Sequence, residues 1–136
     1  DVIILGSIGP VFGDYCQTLG SLKGCVKDNG IIIIDDGYIE NSSDYIHHLV
    51  QKQDAVYRQI ADSGMELIDE VVFDKDYIKG SDEAIFKSLK KRCLELIGKF
   101  PGKTALFKDY IKSQEEENAA LEDKIVCAVM VIRRLI

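Results

Sequence analysis

Gly30-Ile31-Ile32-Ile33-Ile34-Asp35-Asp36-Gly37-Tyr38 is the stretch on which the reading of this chain turns. Four consecutive isoleucines do not alternate between a wet and a dry face. They read as a strand buried on both sides, the kind that lies in a parallel sheet with helices above and below. The run starts after Asn29-Gly30, a turn signal, and stops at two carboxylates and a glycine. In an open α/β sheet, ligands bind beyond the carboxyl ends of the strands, so Asp35, Asp36 and Tyr38 stand where chemistry is expected.

Upstream, Asp1-Val2-Ile3-Ile4-Leu5 is a second apolar strand, and Gly6-Ser7-Ile8-Gly9-Pro10 is a glycine-rich loop after it. Residues 11–27 read as a helix, with Phe12, Tyr15, Leu19, Leu22 and Val26 on one stripe. Strand, helix, strand gives a parallel pair joined by a right-handed crossover. A core strand that opens at residue 1 with no lead-in reads as cut from something larger. Downstream, a polar loop spans residues 40–43. Asp44 then caps a helix to about Ala61, with Ile46, Leu49, Val50, Val56 and Ile60 inward. Residues 65–73 alternate as a strand. Ser81-Asp82-Glu83 opens a helix to about Lys99, and Pro101-Gly102 breaks it. Residues 104–121 form another helix, with Phe107, Tyr110, Ile111 and Leu121 inward. Residues 124–132 are again continuously apolar, a buried central strand.

The 136 residues suffice for one domain with a real core. Hydrophobic residues make up 46% and charged residues 29%, which excludes a disordered chain. The formal net charge of -6, with no basic cluster, disfavours binding to a phosphate backbone. No apolar run is long enough to span a bilayer. Cys16, Cys25, Cys93 and Cys127 form no C-x-x-C pair and fall in apolar patterns. They read as reduced, buried thiols of a cytoplasmic protein.

The element order is now strand, helix, strand, helix, strand, two helices, strand. In that order, residues 1–9, 30–36, 63–71 and 124–133 resemble strands four, five, six and seven of a class I S-adenosylmethionine-dependent methyltransferase. Apart from the two helices between Ser81 and Leu121, the chain resembles the C-terminal half of that Rossmann-like α/β sheet. The resemblance implies a sheet ordered as strands 4-5-7-6, with the last strand antiparallel. Residues 1–136 then form a single partial domain, in which residues 81–121 are a helical insertion before the last strand. It also implies S-adenosylmethionine as cofactor and a small-molecule methyl acceptor, with no nucleic acid and no membrane as partner. The family's first glycine-rich loop and the acidic residue after its second strand have no counterpart here, and Gly6-Ser7-Ile8-Gly9 is not a G-x-G-x-x-G loop. The main half of the cofactor site therefore falls outside this sequence, and weak or absent cofactor binding is expected of this chain by itself.

Methyl transfer asks a protein chiefly to align an acceptor with an activated methyl and to exclude water. By analogy, Gly6, Ser7 and Ile8 lie near the methionine end of the cofactor, although a strand-to-helix turn alone also uses glycine. Asp35 and Asp36 have three readings: acceptor contact or base, a divalent-cation site, or a plain polar strand end. Adjacent carboxylates on a strand diverge and make a poor metal site alone, so no metal is assigned. Tyr38 lines a pocket or packs half-buried. His47 and His48, on the expected helix, face different sides. His47 is the candidate base, and a solvated helix face is the plainer reading. Tyr110 in the insertion covers an acceptor or belongs to core. A second function class stays open: a non-enzymatic α/β module that self-associates, as a homodimer or otherwise, through its bare first strand.

Overall fold

A computed structural model describes residues 1–135 of the chain. It divides into two compact units, one comprising Asp1–Val72 with the final strand, the other Phe73–Lys124.

The first unit is built on a four-stranded sheet of β1 (Val2–Gly6), β2 (Ile31–Tyr38), β3 (Met65–Val72) and β4 (Val126–Arg134). The spatial order is β1-β2-β4-β3. β1 and β2 are parallel, with Gly6 opposite Asp35. β4 runs antiparallel to both of its neighbours. This is the 4-5-7-6 order with an antiparallel last strand that the resemblance implies.

Two helices, α1 (Tyr15–Leu22) and α2 (Gln53–Asp62), bring Tyr15, Leu19, Val56 and Ile60 into the core that contains Ile32, Ile34, Tyr38, Ala128, Met130 and Ile132. Those β2 and β4 residues are the even-numbered ones and share one face, since side chains alternate along a strand. The opposite face departs from the expectation of two-sided burial. Ile31, Ile33, Val129 and Val131 are only half-buried, and Ile4 on β1 is 67% exposed. An unbroken apolar run shows that both faces are apolar. It does not show that this stretch of chain covers both.

Several boundaries move for local reasons. Helix α1 starts at Tyr15, not residue 11, because Gly9 and Gly13 hold left-handed backbone and a capping box fixes the first turn. Asp14 accepts from Gln17 N–H at 2.8 Å, and Gln17 accepts from Asp14 N–H at 3.3 Å. The helix expected from Asp44 is absent before Gln53. Residues 40–52 are mostly irregular, Ile46 is 85% exposed, and Leu49 faces solvent as well. Ser43 accepts from Tyr45 N–H at 3.1 Å, the local side-chain competition by which serine opposes helix. Asn41 instead clasps the first turn of α2, accepting from Asp54 N–H at 3.0 Å and donating to its carboxylate at 2.6 Å. Strand β3 carries a bulge between Leu67 and Asp69 that breaks the simple alternation. Cys25 is exposed, not buried.

The second unit is a helical hairpin. Helix α3 (Lys75–Lys99) begins six residues before the expected Ser81, because Asp74 accepts from the N–H groups of Asp76 and Tyr77. A 3-10 turn, Pro101–Lys103, reverses the chain into α4 (Thr104–Asp123). Cys93 and Ile111 are its buried side chains.

Candidate functional site

The carboxyl ends of β1 and β2 lie side by side, and the loop after β1 is tied to β2. Ser7 N–H donates to the Asp35 carbonyl at 2.7 Å. Ser7 itself sits at φ 53°, a left-handed conformation uncommon for a residue with a Cβ. Such strain persists where surrounding structure imposes it, and it concentrates at ligand sites. Gly6 has open space where a Cβ would project, and Gly6, Ser7 and Ile8 are all exposed. At Gly9 the backbone passes close enough that a Cβ would lie 3.8 Å from the Asp36 carboxylate. The loop thus arches over the end of β2 and leaves the tip of β1 accessible.

Alternation sends the two carboxylates to opposite faces of the sheet. Asp36 faces the helices. The Tyr15 hydroxyl donates to its Oδ2, and Gly37 N–H donates to its Oδ1 at 2.8 Å. Tyr15 is 3% exposed. Burial, then the hydrogen bond to Asp36 and its charge, push the Tyr15 phenol far above its ordinary value, so it is a fixed donor at physiological pH. Both oxygens of Asp36 are therefore engaged. Asp35 is half-buried on the other face, and its carboxylate has no hydrogen-bond partner among the described residues.

Tyr38 also faces the helices and is buried. Its hydroxyl accepts from Gln53 Nε2 at 3.1 Å, and the same amide donates to Tyr57 at 3.0 Å. Tyr57 donates to Glu70 Oε2 at 2.7 Å. Burial raises the pKa of both phenols above the ordinary range, for Tyr57 with help from its bond to Glu70. Glu70 Oε1 is buried without a protein partner. This network ties β2, α2 and β3 together, and Tyr38 belongs to it instead of to an open pocket wall. A second stitch runs from Tyr15 N–H to Gln59 at 3.0 Å and from Gln59 Nε2 to Gln51 at 2.6 Å.

His47 and His48 do not lie on a helix. They stack on each other in the 40–52 segment with ring centroids 4.7 Å apart, and His47 Nδ1 accepts from Leu49 N–H at 3.1 Å. Tyr110 lies in the hairpin unit, where it lines a groove of about 490 Å³ with Leu89, Arg92, Cys93, Leu96, Leu106 and Phe107. Sequence reasoning missed Tyr15 as the partner of Asp36. The Asp14-x-x-Gln17 capping box was the available signal that Tyr15 opens the helix and points back at the sheet. It also missed Tyr57 and Glu70, which no local pattern connects.

Among the described residues there is no group of three or more His, Cys, Asp or Glu placed to hold a metal ion. No helix there is long and apolar enough to cross a membrane.

No family model matches the sequence, and no curated protein matches it. Solved structures do share the fold. A methyltransferase from Geobacter sulfurreducens in complex with S-adenosyl-L-homocysteine superposes with a TM-score of 0.76 at 14% identity, over 98% of this chain and 57% of its own. The cyclopropane synthase MmaA2 from Mycobacterium tuberculosis gives 0.79 at 9% identity, over 98% and 55%. A methyltransferase from Thiobacillus denitrificans, also in complex with S-adenosyl-L-homocysteine, gives 0.76 at 14% identity, over 99% and 58%. The chain thus has the fold of S-adenosylmethionine-dependent methyltransferases and spans a little over half the length of these relatives.

Proposed function

We propose that this chain is the C-terminal part of an S-adenosylmethionine-dependent methyltransferase that acts on a small molecule in the cytoplasm. The observation that carries the reading is the β1-β2-β4-β3 order with an antiparallel β4. It is joined to an exposed strand end at Gly6-Ser7-Ile8. The fit is physical: Gly6 leaves room, and the strained Ser7 loop holds that room open. In this reading Gly6, Ser7 and Ile8 meet the methionine end of the cofactor, which supplies an electrophilic methyl when bound. Asp35 contacts the acceptor and receives its proton. When bound, the cofactor would supply the methyl to the acceptor atom and keep the sulfur–carbon electron pair. Asp36 acts one step back, holding the end of β2 against Tyr15. The net charge of -6 favours a small acceptor over a nucleic acid.

The open sheet face supports a larger domain. Val2 and Ile4 on the edge strand and Val71 on β3 are exposed on the face that also carries half-buried Ile31, Ile33, Val129 and Val131, and a continuous apolar sheet face is what a covering layer buries. By the same reading, the fragment alone binds the cofactor weakly and is inactive. A second reading rests on the same edge: a non-enzymatic module whose copies pair through β1. Sequencing the reading frame upstream of Asp1 separates them. The methyltransferase reading expects a strand followed by a glycine-rich turn and a later strand ending in an acidic residue. A start codon immediately before Asp1 overturns it and leaves the pairing module.

A further inference from the structure

The hairpin unit buries little of its own apolar surface. Only Cys93 and Ile111 are buried in it. On α3, Ile85, Leu89, Arg92 and Leu96 recur at four- and three-residue steps and form one stripe. On α4, Leu106, Tyr110, Gln114, Glu117 and Leu121 do the same. Five of these residues, with their neighbours Cys93 and Phe107, line the 490 Å³ groove, and Leu106 is 63% exposed. The 20 residues of α4 extend about 30 Å, and packed helices lie about 8–10 Å apart, so the face measures roughly 30 by 20 Å. With its relief, that approaches the roughly 800 Å² per partner of a stable interface.

We propose that this face is the docking surface for a second copy of the same chain, the two hairpins forming a four-helix bundle. The face is complementary to itself. The ion pair between Lys90 and Glu115, at 3.7 Å, fixes which residues of α3 and α4 stand at the same height. A two-fold axis parallel to the helices lays α3 of one copy over α4 of the other at those same heights, with all neighbouring helices antiparallel. Ile85 then meets Leu121 of the second copy, and Leu96 meets Tyr110 of the second copy. Arg92 falls about 6 Å along the axis from Glu117 of the second copy, within reach of its side chain. A two-fold axis across the helices would instead set α3 against α3, whose stripe offers Arg92 no carboxylate. Apolar groups thus face apolar groups, and Arg92 stands near the opposite charge of Glu117, which is the pattern of an isologous contact. This inference stands independently of the methyltransferase reading, because it uses the hairpin alone.

The test is sedimentation equilibrium of the whole chain over a concentration series. The wild type is expected to dimerise. Leu106→Asp, at an exposed position where folding is checked by circular dichroism, weakens the dimer roughly hundredfold by placing a bare charge in an apolar contact. Arg92→Glu and Glu117→Arg each weaken it roughly threefold to fivefold, and the double exchange restores it. Ile4→Lys, on the β1 edge, leaves the dimer intact. A wild type that stays monomeric, a folded Leu106→Asp that dimerises normally, an exchange without rescue, or dissociation by Ile4→Lys overturns the proposal.

Discussion

Replacing Tyr15 by Phe removes one oxygen from a buried pair and little else. The ring stays in place because it belongs to the buried core cluster that includes Leu19 and Ile34. What is lost is the hydroxyl that donates to Asp36 Oδ2. Hydrogen bonds to a charged acceptor contribute about 1.5–3 kcal/mol, so a loss of about 2 kcal/mol is expected at neutral pH. For a chain of this size that lowers the melting midpoint by roughly 2–4 °C per kcal/mol. The pH dependence carries a sharper signature. Tyr15 titrates above its ordinary 10.0 in the folded protein because of burial and Asp36. Below pH 10 both folded and unfolded states keep the phenol protonated, and the stabilisation is fully present. As pH rises past 10 the unfolded chain releases the proton and the folded one does not, so stability falls, by up to about 1.4 kcal/mol per pH unit for this group. Tyr15→Phe should therefore unfold in less urea at pH 7, by circular dichroism, and lose stability less steeply than wild type above pH 10. A variant within about 0.5 kcal/mol of wild type at pH 7, with an unchanged alkaline slope, refutes the reasoning that this bond clamps the end of β2.

Three further outcomes follow from the same geometry. Ser7→Gly relieves the left-handed strain at φ 53° and should cost nothing or stabilise by up to about 1 kcal/mol, whereas Ser7→Val should destabilise by about 2 kcal/mol in the same urea titration. Gly37→Ala places a Cβ 2.6 Å from Ile125 Cγ2 and 3.0 Å from the Val126 carbonyl oxygen. Backbone cannot yield cheaply, so a loss of about 1–3 kcal/mol is expected by thermal melting. Met130→Ala empties a fully buried position in the central strand and should cost about 2–5 kcal/mol in urea.

The sheet was readable because its strands are continuous apolar runs closed by glycine or carboxylates, and because strand order follows from a known resemblance. The helix expected across residues 44–61 was not, and the reason is instructive. Ile46, Leu49 and Val50 mimic an amphipathic spacing, but Ser43 offers the backbone a local partner, and Asn41 clamps the first turn of α2 at Asp54. With that helix gone, His47 and His48 stack instead of diverging. At the candidate site, the ends of β1 and β2 were legible from glycines and acids beside apolar runs. Which of Asp35 and Asp36 is engaged within the fold was not, because it depends on Tyr15, 21 residues away, and on which face each carboxylate takes. The Tyr38, Gln53, Tyr57 and Glu70 network joins three elements and leaves no pattern in any one of them.

The central claim is that the Ser7 loop at the end of β1 holds the cofactor's methionine end. Calorimetric titration of S-adenosyl-L-homocysteine into the complete protein encoded by this reading frame tests it most directly. Wild type should bind, and Ser7→Val, which adds bulk and strain at the exposed tip, should weaken binding at least about tenfold while the protein stays folded. Binding of equal strength in both would place the cofactor elsewhere and contradict the account.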